Sequence, residues 1–336
     1  MLTETIRTPS WGGRGLDQSA AEGYVGSMAR GSRGRAGSVG PVVACLIAGA
    51  LPALAWASTA QAGIDSETVD GYAYLSQHSE LPTPPQSGSA PTVFCPGNKT
   101  LIGIAGGIDS GQVGHVNSIY PLDGPDAGSR ATEALAVDGF NASGDGKTLF
   151  AQPVCKRGQR RYVLRERTLS ADVDRGFSAR CPARTHVTGG GAFVGGDIGD
   201  GRLLSTSPFD GGDPDSRPDD GWRIRAANAS VTEDSDVTVH AICQRRRPRY
   251  EVSGPSTLTA GSEMGVLHDC DNDAHLIGAG ADLSLDPDAQ VSAILLEDSG
   301  ADPDLARDDN VTFTLTHRDV GGTDAGYTLT EICARP

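Results

Sequence analysis

Residues 181–194 read CPARTHVTGGGAFV, and the chain contains two further versions of this stretch. One begins at Cys95 and reads CPGNKTLIGIAGGI, and the other begins at Cys270 and reads CDNDAHLIGAGADL. When the three are aligned on the cysteine, an aliphatic residue always stands six positions later and a glycine eight positions later. These aligned pairs are Leu101 and Gly103, Val187 and Gly189, and Leu276 and Gly278. Self-similarity at a nearly fixed spacing is typical of a repeat architecture.

The repeat extends on both sides of this stretch. Tyr74, Tyr162 and Tyr250 precede it at intervals of 88 residues. About sixty residues after each opening cysteine comes a second cysteine, and these closing cysteines are Cys155, Cys243 and Cys333. The pattern predicts three homologous modules, which we number 1 to 3: residues 74–155, 162–243 and 250–333.

The modules have the periodicity of β-strands. Apolar residues stand six and four positions before each closing cysteine: Leu149 and Ala151, Val237 and Val239, Tyr327 and Leu329. This period of two places the closing cysteine on a buried face. Gly, Pro, Asp and Ser interrupt the chain every eight to twelve residues, and no segment has a convincing helical period. We therefore predict an all-β fold of three modules, as tandem sandwiches or a pseudo-three-fold prism, with tandem domains preferred.

Glycines and aromatic residues suggest how each module is packed. Glycines at matched places within a strand indicate that the strand bends, or that another backbone or ring passes close by. Asp220-Gly221-Trp222 and Asp138-Gly139-Phe140 each combine a turn signal with an aromatic residue. We predict that both begin equivalent strands whose aromatic ring fills the core.

The cysteines predict a disulfide framework. Seven are present, and Cys45 lies in the N-terminal region, which leaves six in the modules. One symmetric pairing stays within modules: Cys95–Cys155, Cys181–Cys243 and Cys270–Cys333. A second joins Cys155 to Cys181 and Cys243 to Cys270, and closes a ring through Cys95–Cys333. The sequence favours the pairing within modules, where each bridge would close a sixty-residue loop and contribute about 4 kcal/mol.

Residues 1–62 are predicted to be a signal peptide, cleaved after Ala62. Basic residues between 30 and 35 precede an apolar run at 41–57, and Ala60-Gln61-Ala62 forms an A-x-A site. The run is too short and too interrupted to predict a membrane span. Met28 would begin a signal peptide of ordinary length, so residues 1–27 are interpreted as an extension from an upstream start codon. Residues 63–73 are predicted to be a short linker.

The charge of the chain narrows the class of partner. The formal net charge is −15 for the whole chain, and residues 63–336 carry about −17. This acidity argues against nucleic acid and anionic membranes as partners, and it fits a surface glycan or a protein. Two basic runs, at 156–161 and 244–249, join the modules. We expect them to pair with acidic loops or to stay hydrated.

Asp-rich loops are the one candidate for metal chemistry. Hard oxygen ligands at short spacing suit Ca²⁺. No EF-hand pattern is present, so a solvated loop is the favoured interpretation and calcium the alternative. The loop of module 2 contains Asp210, Asp213, Asp215, Asp219 and Asp220, and the loop of module 3 contains Asp298, Asp302, Asp304, Asp308 and Asp309.

No nucleophile elbow, HExxH motif or other acid–base set stands out in the sequence. We therefore predict an exported, non-enzymatic structural or binding protein of the cell envelope or medium, without a cofactor. The alternatives are a secreted hydrolase whose carboxylate pair lies in the Asp-rich loops, and a Ca²⁺-dependent glycan-binding protein that uses the same loops.

One frame of short motifs recurs in the modules. It is complete in module 2, at Cys181-Pro182, Gly189-Gly190-Gly191, Gly221-Trp222 and Ala241-Ile242-Cys243, whereas module 1 keeps Cys95-Pro96 and Cys270 is followed by Asp271. Over residues 74–333 this frame resembles uncharacterised secreted repeat proteins of actinomycetes. The resemblance implies export and no particular activity. The three-fold count is also similar to the β-prism of vitelline membrane outer layer protein I.

Overall fold

The computed structural model describes residues 65–81, 86–89, 92–109, 114–123, 133–143, 145–197, 199–212, 215–270, 274–284, 286–297 and 310–335. The predicted signal peptide, residues 1–62, lies outside the described residues. The described part of the chain is all-β and contains no helix. Its strands are β1 Asp65–Val69, β2 Tyr72–Leu81, β3 Gln86–Ser89, β4 Val93–Phe94, β5 Thr100–Ile108, β6 Gly114–Leu122, β7 Ala134–Asn141, β8 Lys147–Lys156, β9 Arg161–Leu169, β10 Val173–Arg180, β11 His186–Val194, β12 Gly201–Phe209, β13 Gly221–Asn228, β14 Ser235–Gln244, β15 Arg249–Val252, β16 Ser256–Leu258, β17 Glu263–Asp269, β18 His275–Leu283, β19 Ala289–Glu297, β20 Asn310–His317 and β21 Ala325–Ala334.

The same succession of strands occurs three times. Module 2 has the simplest version, the six strands β9 to β14. In modules 1 and 3 one strand of this set is split in two, giving β3 and β4 in module 1 and β15 and β16 in module 3. Residues 63–73, predicted to be a linker, instead contain β1 and the start of β2. β1 pairs with β2 through an antiparallel ladder that runs from Asp65↔Ser76 to Val69↔Tyr72, because the turn at Asp70-Gly71 reverses the chain.

Each of the three sheets is built from two modules. The first sheet has the order β1-β2-β8-β5-β19-β20-β17 and joins module 1 to module 3. The second, β3-β7-β6-β11-β14-β9 with β4 beside β7, joins modules 1 and 2. The third, β10-β13-β12-β18-β21-β15 with β16 beside β21, joins modules 2 and 3. The preference for tandem domains is therefore wrong, because neighbouring modules share sheets around a closed pseudo-three-fold ring.

The aligned glycines explain how the ring closes. Every module has a β-bulge just before this glycine, at Leu101/Gly103, Val187/Gly189 and Leu276/Gly278. A Cβ on Gly103 would lie 1.5 Å from the carbonyl oxygen of Ile277. A Cβ on Gly189 would lie 2.9 Å from Cα of Gly103, and one on Gly278 would lie 2.5 Å from the carbonyl oxygen of Thr188. The three backbones thus meet where only glycine fits, and both sequence interpretations, the bend and the close approach, hold.

The core follows the predicted period of two, with one exception in the aromatic residues. The six apolar residues before the closing cysteines are all buried. Trp222 is also buried, as predicted, and its indole N–H donates to Thr206 Oγ1 at 2.7 Å. Phe140 does not occupy the equivalent place, because β7 begins at Ala134 and Leu135 takes the position of Trp222. Gly139 lies within β7 and marks close packing, since a Cβ there would lie 2.6 Å from Leu149 Cδ2.

The disulfides lie within modules, as the sequence favours. Cys95 is bonded to Cys155, Cys181 to Cys243 and Cys270 to Cys333. Each bridge ties the segment before a bulged strand to the last strand of the same module. Ring closure is therefore compatible with disulfides inside modules, because shared sheets, and not disulfides between modules, close the ring.

The tyrosines that define the 88-residue period connect neighbouring modules. Each donates its hydroxyl hydrogen to the carbonyl oxygen of the aliphatic residue at the bulge of the preceding module in the ring. Tyr74 donates to Leu276 at 3.0 Å, Tyr250 to Val187 at 2.5 Å, and Tyr162 to Leu101. Burial raises the pKa of Tyr162 and of Tyr250 far above the ordinary value, so both phenols stay protonated donors. We call these three hydrogen bonds the tyrosine clasp.

We expect each tyrosine of the clasp to be worth about 1–3 kcal/mol of unfolding free energy. Changing Tyr162 to Phe removes the donor and leaves the carbonyl of Leu101 without it in a desolvated site. Urea unfolding of Tyr162→Phe measures the loss. Tyr327→Phe is the matched control, because its hydroxyl meets only the sulfur of Met264 at 3.9 Å, and it should change stability by less than about 0.5 kcal/mol. Equal effects of the two changes would contradict the clasp.

Candidate functional site at the module joints

The Asp-rich loop of module 2 folds back onto its own chain and the joint to module 3. Asp220 Oδ2 accepts the amide hydrogen of Gly211 at 2.7 Å, and Asp210 Oδ1 accepts that of Gly212 at 2.8 Å. Asp213 lies outside the described residues, as do Asp298, Asp302, Asp304, Asp308 and Asp309 of the matching loop in module 3. The described carboxylates of this loop therefore act mainly as acceptors for the protein's own donors.

Asp219 is the centre of a three-residue network. Its side chain is only 3% exposed and accepts from His186 Nδ1 at 2.9 Å and Arg247 Nη2 at 2.6 Å. Arg247 also pairs with Asp215 at 2.5 Å. His186 begins β11, and Arg247 lies in the joint after β14, so the network ties the loop to the middle of the module and to the joint that follows it. The expectation that the basic joints pair with acidic loops holds for Arg247.

The same network affects the titration of Asp215. The hydrogen bond from Arg247, with a second from the backbone N–H of Arg217, holds the pKa of Asp215 below its ordinary value. A carboxylate with a lowered pKa adds stability above its unfolded pKa, and this contribution is lost as the pH falls through the folded value. Acid should therefore loosen the Asp-rich loop from the joint.

We expect Arg247→Gln to raise the pKa of Asp215 toward its ordinary value. Arg217→Gln is the matched control, because it removes the same charge and keeps the backbone N–H. The guanidinium of Arg217 lies 3.8 Å from the carboxylate of Asp215. It should move the titration less. Carboxyl carbon NMR shifts followed against pH measure both. A larger shift in Arg217→Gln than in Arg247→Gln would contradict the assigned cause.

No cluster of three or more His, Cys, Asp or Glu residues suited to a metal occurs among the described residues. For the four described aspartates of the module 2 loop, the arginine, histidine and backbone donors already satisfy at least one oxygen each. A Ca²⁺ ion would have to displace Arg247 to recruit Asp215 and Asp219 together. The geometry of the described loop thus fits ion pairing better than calcium coordination.

A different kind of site lies where the joint between modules 1 and 2 meets the first residues of the joint between modules 2 and 3. A cavity of about 950 Å³ opens here, between the start of β5, the start of β9 and the end of β14. Among the described residues, four arginines line it and no Asp or Glu does. Its lining consists of Thr100, Gly158, Gln159, Arg160, Arg161, Tyr162, Leu164, Pro182, Thr185, Cys243, Gln244, Arg245 and Arg246. We call it the joint cavity.

The joint between modules 1 and 2 lacks two residues of the Asp219 network. Counting from the clasp tyrosines, Gln159 takes the place of Arg247. The amide of Cys95 donates to the carbonyl oxygen of Glu133, and the amide of Cys181 donates to that of Asp220. Glu133 and Asp220 are therefore equivalent positions, and the residue before each is Thr132 in module 1 and Asp219 in module 2. Joint 1–2 therefore has neither the arginine nor the carboxylate that closes the network at joint 2–3.

Sequence reasoning located the basic joints but missed this asymmetry. The replaced residues could have been found by counting back from each clasp tyrosine, since Gln159 and Arg247 both stand three positions before it. His275, equivalent to His186, pairs instead with Asp70 in the turn between β1 and β2, Nε2 to Oδ2 at 3.0 Å. That contact depends on ring closure, so no local pattern predicts it.

The chain matches no protein-family model and no curated protein. Within the described residues, no helix has the length and apolar character needed to cross a membrane.

Proposed function

We propose that this protein is an exported, non-enzymatic binding protein that presents the joint cavity on a stapled, ring-closed scaffold. The observation that carries the proposal is the joint cavity itself, which is large enough for an oligosaccharide-sized ligand. The joint between modules 1 and 2, which forms part of its wall, has Gln159 and Thr132 at the positions of Arg247 and Asp219. Binding residues often depart in this way from the pattern of the scaffold that holds them.

Export is supported by the state of the cysteines. All six cysteines of the modules form disulfides, which persist in oxidising compartments. The signal-peptide pattern of residues 1–62 points the same way. An oxidised ring with three staples and a tyrosine clasp would hold its cavity walls in place outside the cell.

The competing proposal is a secreted hydrolase that uses the module 2 loop. His186 and Asp219 make a close pair, as a general base and its orienting carboxylate would. Arg247 also binds Asp219, however, and makes it part of a structural ion-pair network. The binding proposal is favoured because it uses side chains that this network leaves available.

Glycan-array binding and a broad hydrolase screen on the exported, oxidised protein test the proposal together. Leu164 lies in the cavity wall and is 46% exposed, so Leu164→Trp would fill part of the cavity without disturbing the core. We expect it to weaken binding about tenfold or more. Leu267→Trp is the matched control, on β17 away from the cavity lining and 61% exposed, and should bind normally.

Two results would overturn the proposal. One is binding that Leu164→Trp leaves unchanged. The other is catalytic turnover that Asp219→Asn abolishes, which would establish the hydrolase. A parallel calorimetric Ca²⁺ titration tests the alternative of a Ca²⁺-dependent binding protein. A heat of Ca²⁺ binding that is lost in Asp215→Asn would favour a Ca²⁺ site in the loop.

A further inference from the structure

The walls of the joint cavity are strongly cationic for so acidic a chain. Arg160 directly precedes β9 and Arg161 begins it, and Arg245 and Arg246 follow β14. Because Arg161 pairs in register with Cys243, the two arginine pairs flank neighbouring strand ends. None of the four makes an ion pair with a described carboxylate, in contrast to Arg247. The cavity is thus a local positive site on a protein of net charge −15.

Arg160 also lacks full compensation inside the protein. Nε of Arg160 is buried without a hydrogen-bond partner, and Nη1 donates only to the neighbouring carbonyl of Gln159, at 3.2 Å. Burial lowers the pKa of Lys156, and the charges of Arg160 and Arg246 lower it further. These cations therefore converge closely enough to repel one another. A bound anion would relieve the repulsion and accept from the unpaired N–H.

We propose that the joint cavity binds an anionic oligosaccharide through at least two of its acidic groups, one against each arginine pair. This inference rests on the proposed function and specifies its ligand class. The shared chemistry is a flexible chain that carries repeated carboxylate, sulfate or phosphate groups. The volume of the joint cavity, about 950 Å³, accommodates several sugar units.

The aromatic content of the cavity favours a sugar chain over single-stranded nucleic acid. Bases bind proteins largely by stacking on exposed rings. Tyr162 is the one aromatic residue in the lining, and its hydroxyl is bound to Leu101 within the clasp. The acidic surface elsewhere would also repel a long polyanion, whereas a short anionic segment reaches the cavity alone.

Calorimetric titration with defined probes tests the inference. The probes are galacturonate and its hexamer, a sulfated heparin-derived hexasaccharide, sodium phosphate and an oligothymidylate. We expect a hexasaccharide to bind at least tenfold more tightly than galacturonate, because its several carboxylates can contact the four arginines at the same time, and its affinity should fall with added salt. The carboxylated and sulfated arms distinguish the source of the charge.

Substitutions locate the binding in the cavity. Arg160→Gln and Arg246→Gln should each weaken hexasaccharide binding about tenfold, as expected for loss of a charge-assisted hydrogen bond. Arg175→Gln is the matched control, because Arg175 is exposed on β10, outside the cavity lining, and its loss changes the net charge equally. It should bind as the wild type does.

The outcomes separate this inference from the proposed function. Hexasaccharide binding lost in Arg160→Gln and kept in Arg175→Gln supports the inference. Equal loss in all three variants, tighter binding of the oligothymidylate, or phosphate binding as strong as the hexasaccharide's would overturn it. If no anionic probe binds but a neutral glycan does, and Leu164→Trp blocks it, the inference fails while the proposed function stands.

Discussion

Gly103→Ala is expected to destabilise the whole ring by about 3 kcal/mol or more. The added methyl group would lie 1.5 Å from the carbonyl oxygen of Ile277, which belongs to another module. A backbone atom cannot swing away as the end of a side chain can, so the two modules must separate locally. Urea unfolding followed by tryptophan fluorescence measures the loss, because Trp222 is buried in the core.

Gly265→Ala is the control for this experiment. Gly265 lies in β17, and a Cβ there would meet no atom within 4 Å. Replacing a strand glycine in open space should leave stability unchanged or raise it by about 0.5 kcal/mol, since the unfolded chain loses conformational freedom. If Gly103→Ala were as stable as Gly265→Ala, the close approach of the module 1 and module 3 backbones would be wrong.

Removing one disulfide should cost about 4 kcal/mol and should lower the stability of all three modules together. The bridge between Cys181 and Cys243 closes a loop with a sequence separation of 62 residues. In the Cys181→Ala, Cys243→Ala double variant the unfolded chain regains the conformational entropy of this loop, which accounts for the loss of about 4 kcal/mol. Because β11 and β12 of module 2 pair with strands of modules 1 and 3, we expect a single unfolding transition at lower denaturant.

Reduction of the wild type provides the comparison. A thiol reductant opens all three bridges, so it should destabilise the wild type more than the double variant is destabilised without reductant. Calorimetry distinguishes the two architectures directly. Two resolved transitions in the double variant, with one at the wild-type temperature, would show modules that unfold independently and would rule out the shared sheets.

The two joints between consecutive modules differ in their charge contacts. At joint 2–3, Asp219 neutralises Arg247 and anchors the Asp-rich loop. At joint 1–2 the corresponding positions hold Gln159 and Thr132, and the remaining arginines line a cavity without carboxylates. The scaffold tolerates unpaired cations here because Arg161, Arg245 and Arg246 are exposed and hydrated. Only Arg160 is partly buried, and its Nε has no partner.

Much of the architecture follows from local patterns in the sequence. The spacing of Tyr, Cys and Gly determined three modules. The period of two before Cys155, Cys243 and Cys333 determined strands with the cysteines facing inward, and the repeat itself favoured disulfides within modules. Such features depend on residues close together in the chain, so a pattern in one module is checked by the other two.

Other features belong to the tertiary structure alone. The sharing of sheets between modules, the meeting of Gly103 with Ile277 and the donation from Tyr74 to Leu276 all connect residues that are far apart in sequence. A glycine records that something passes nearby, but it does not say whether the neighbour comes from its own module or the next. The joint cavity also unites residues that are far apart in sequence, because the pairing of β9 with β14, both in module 2, brings its arginines together. Sequence therefore determined the modules, contacts between modules decided the ring, and strand pairing at the ends of module 2 assembled the candidate binding site.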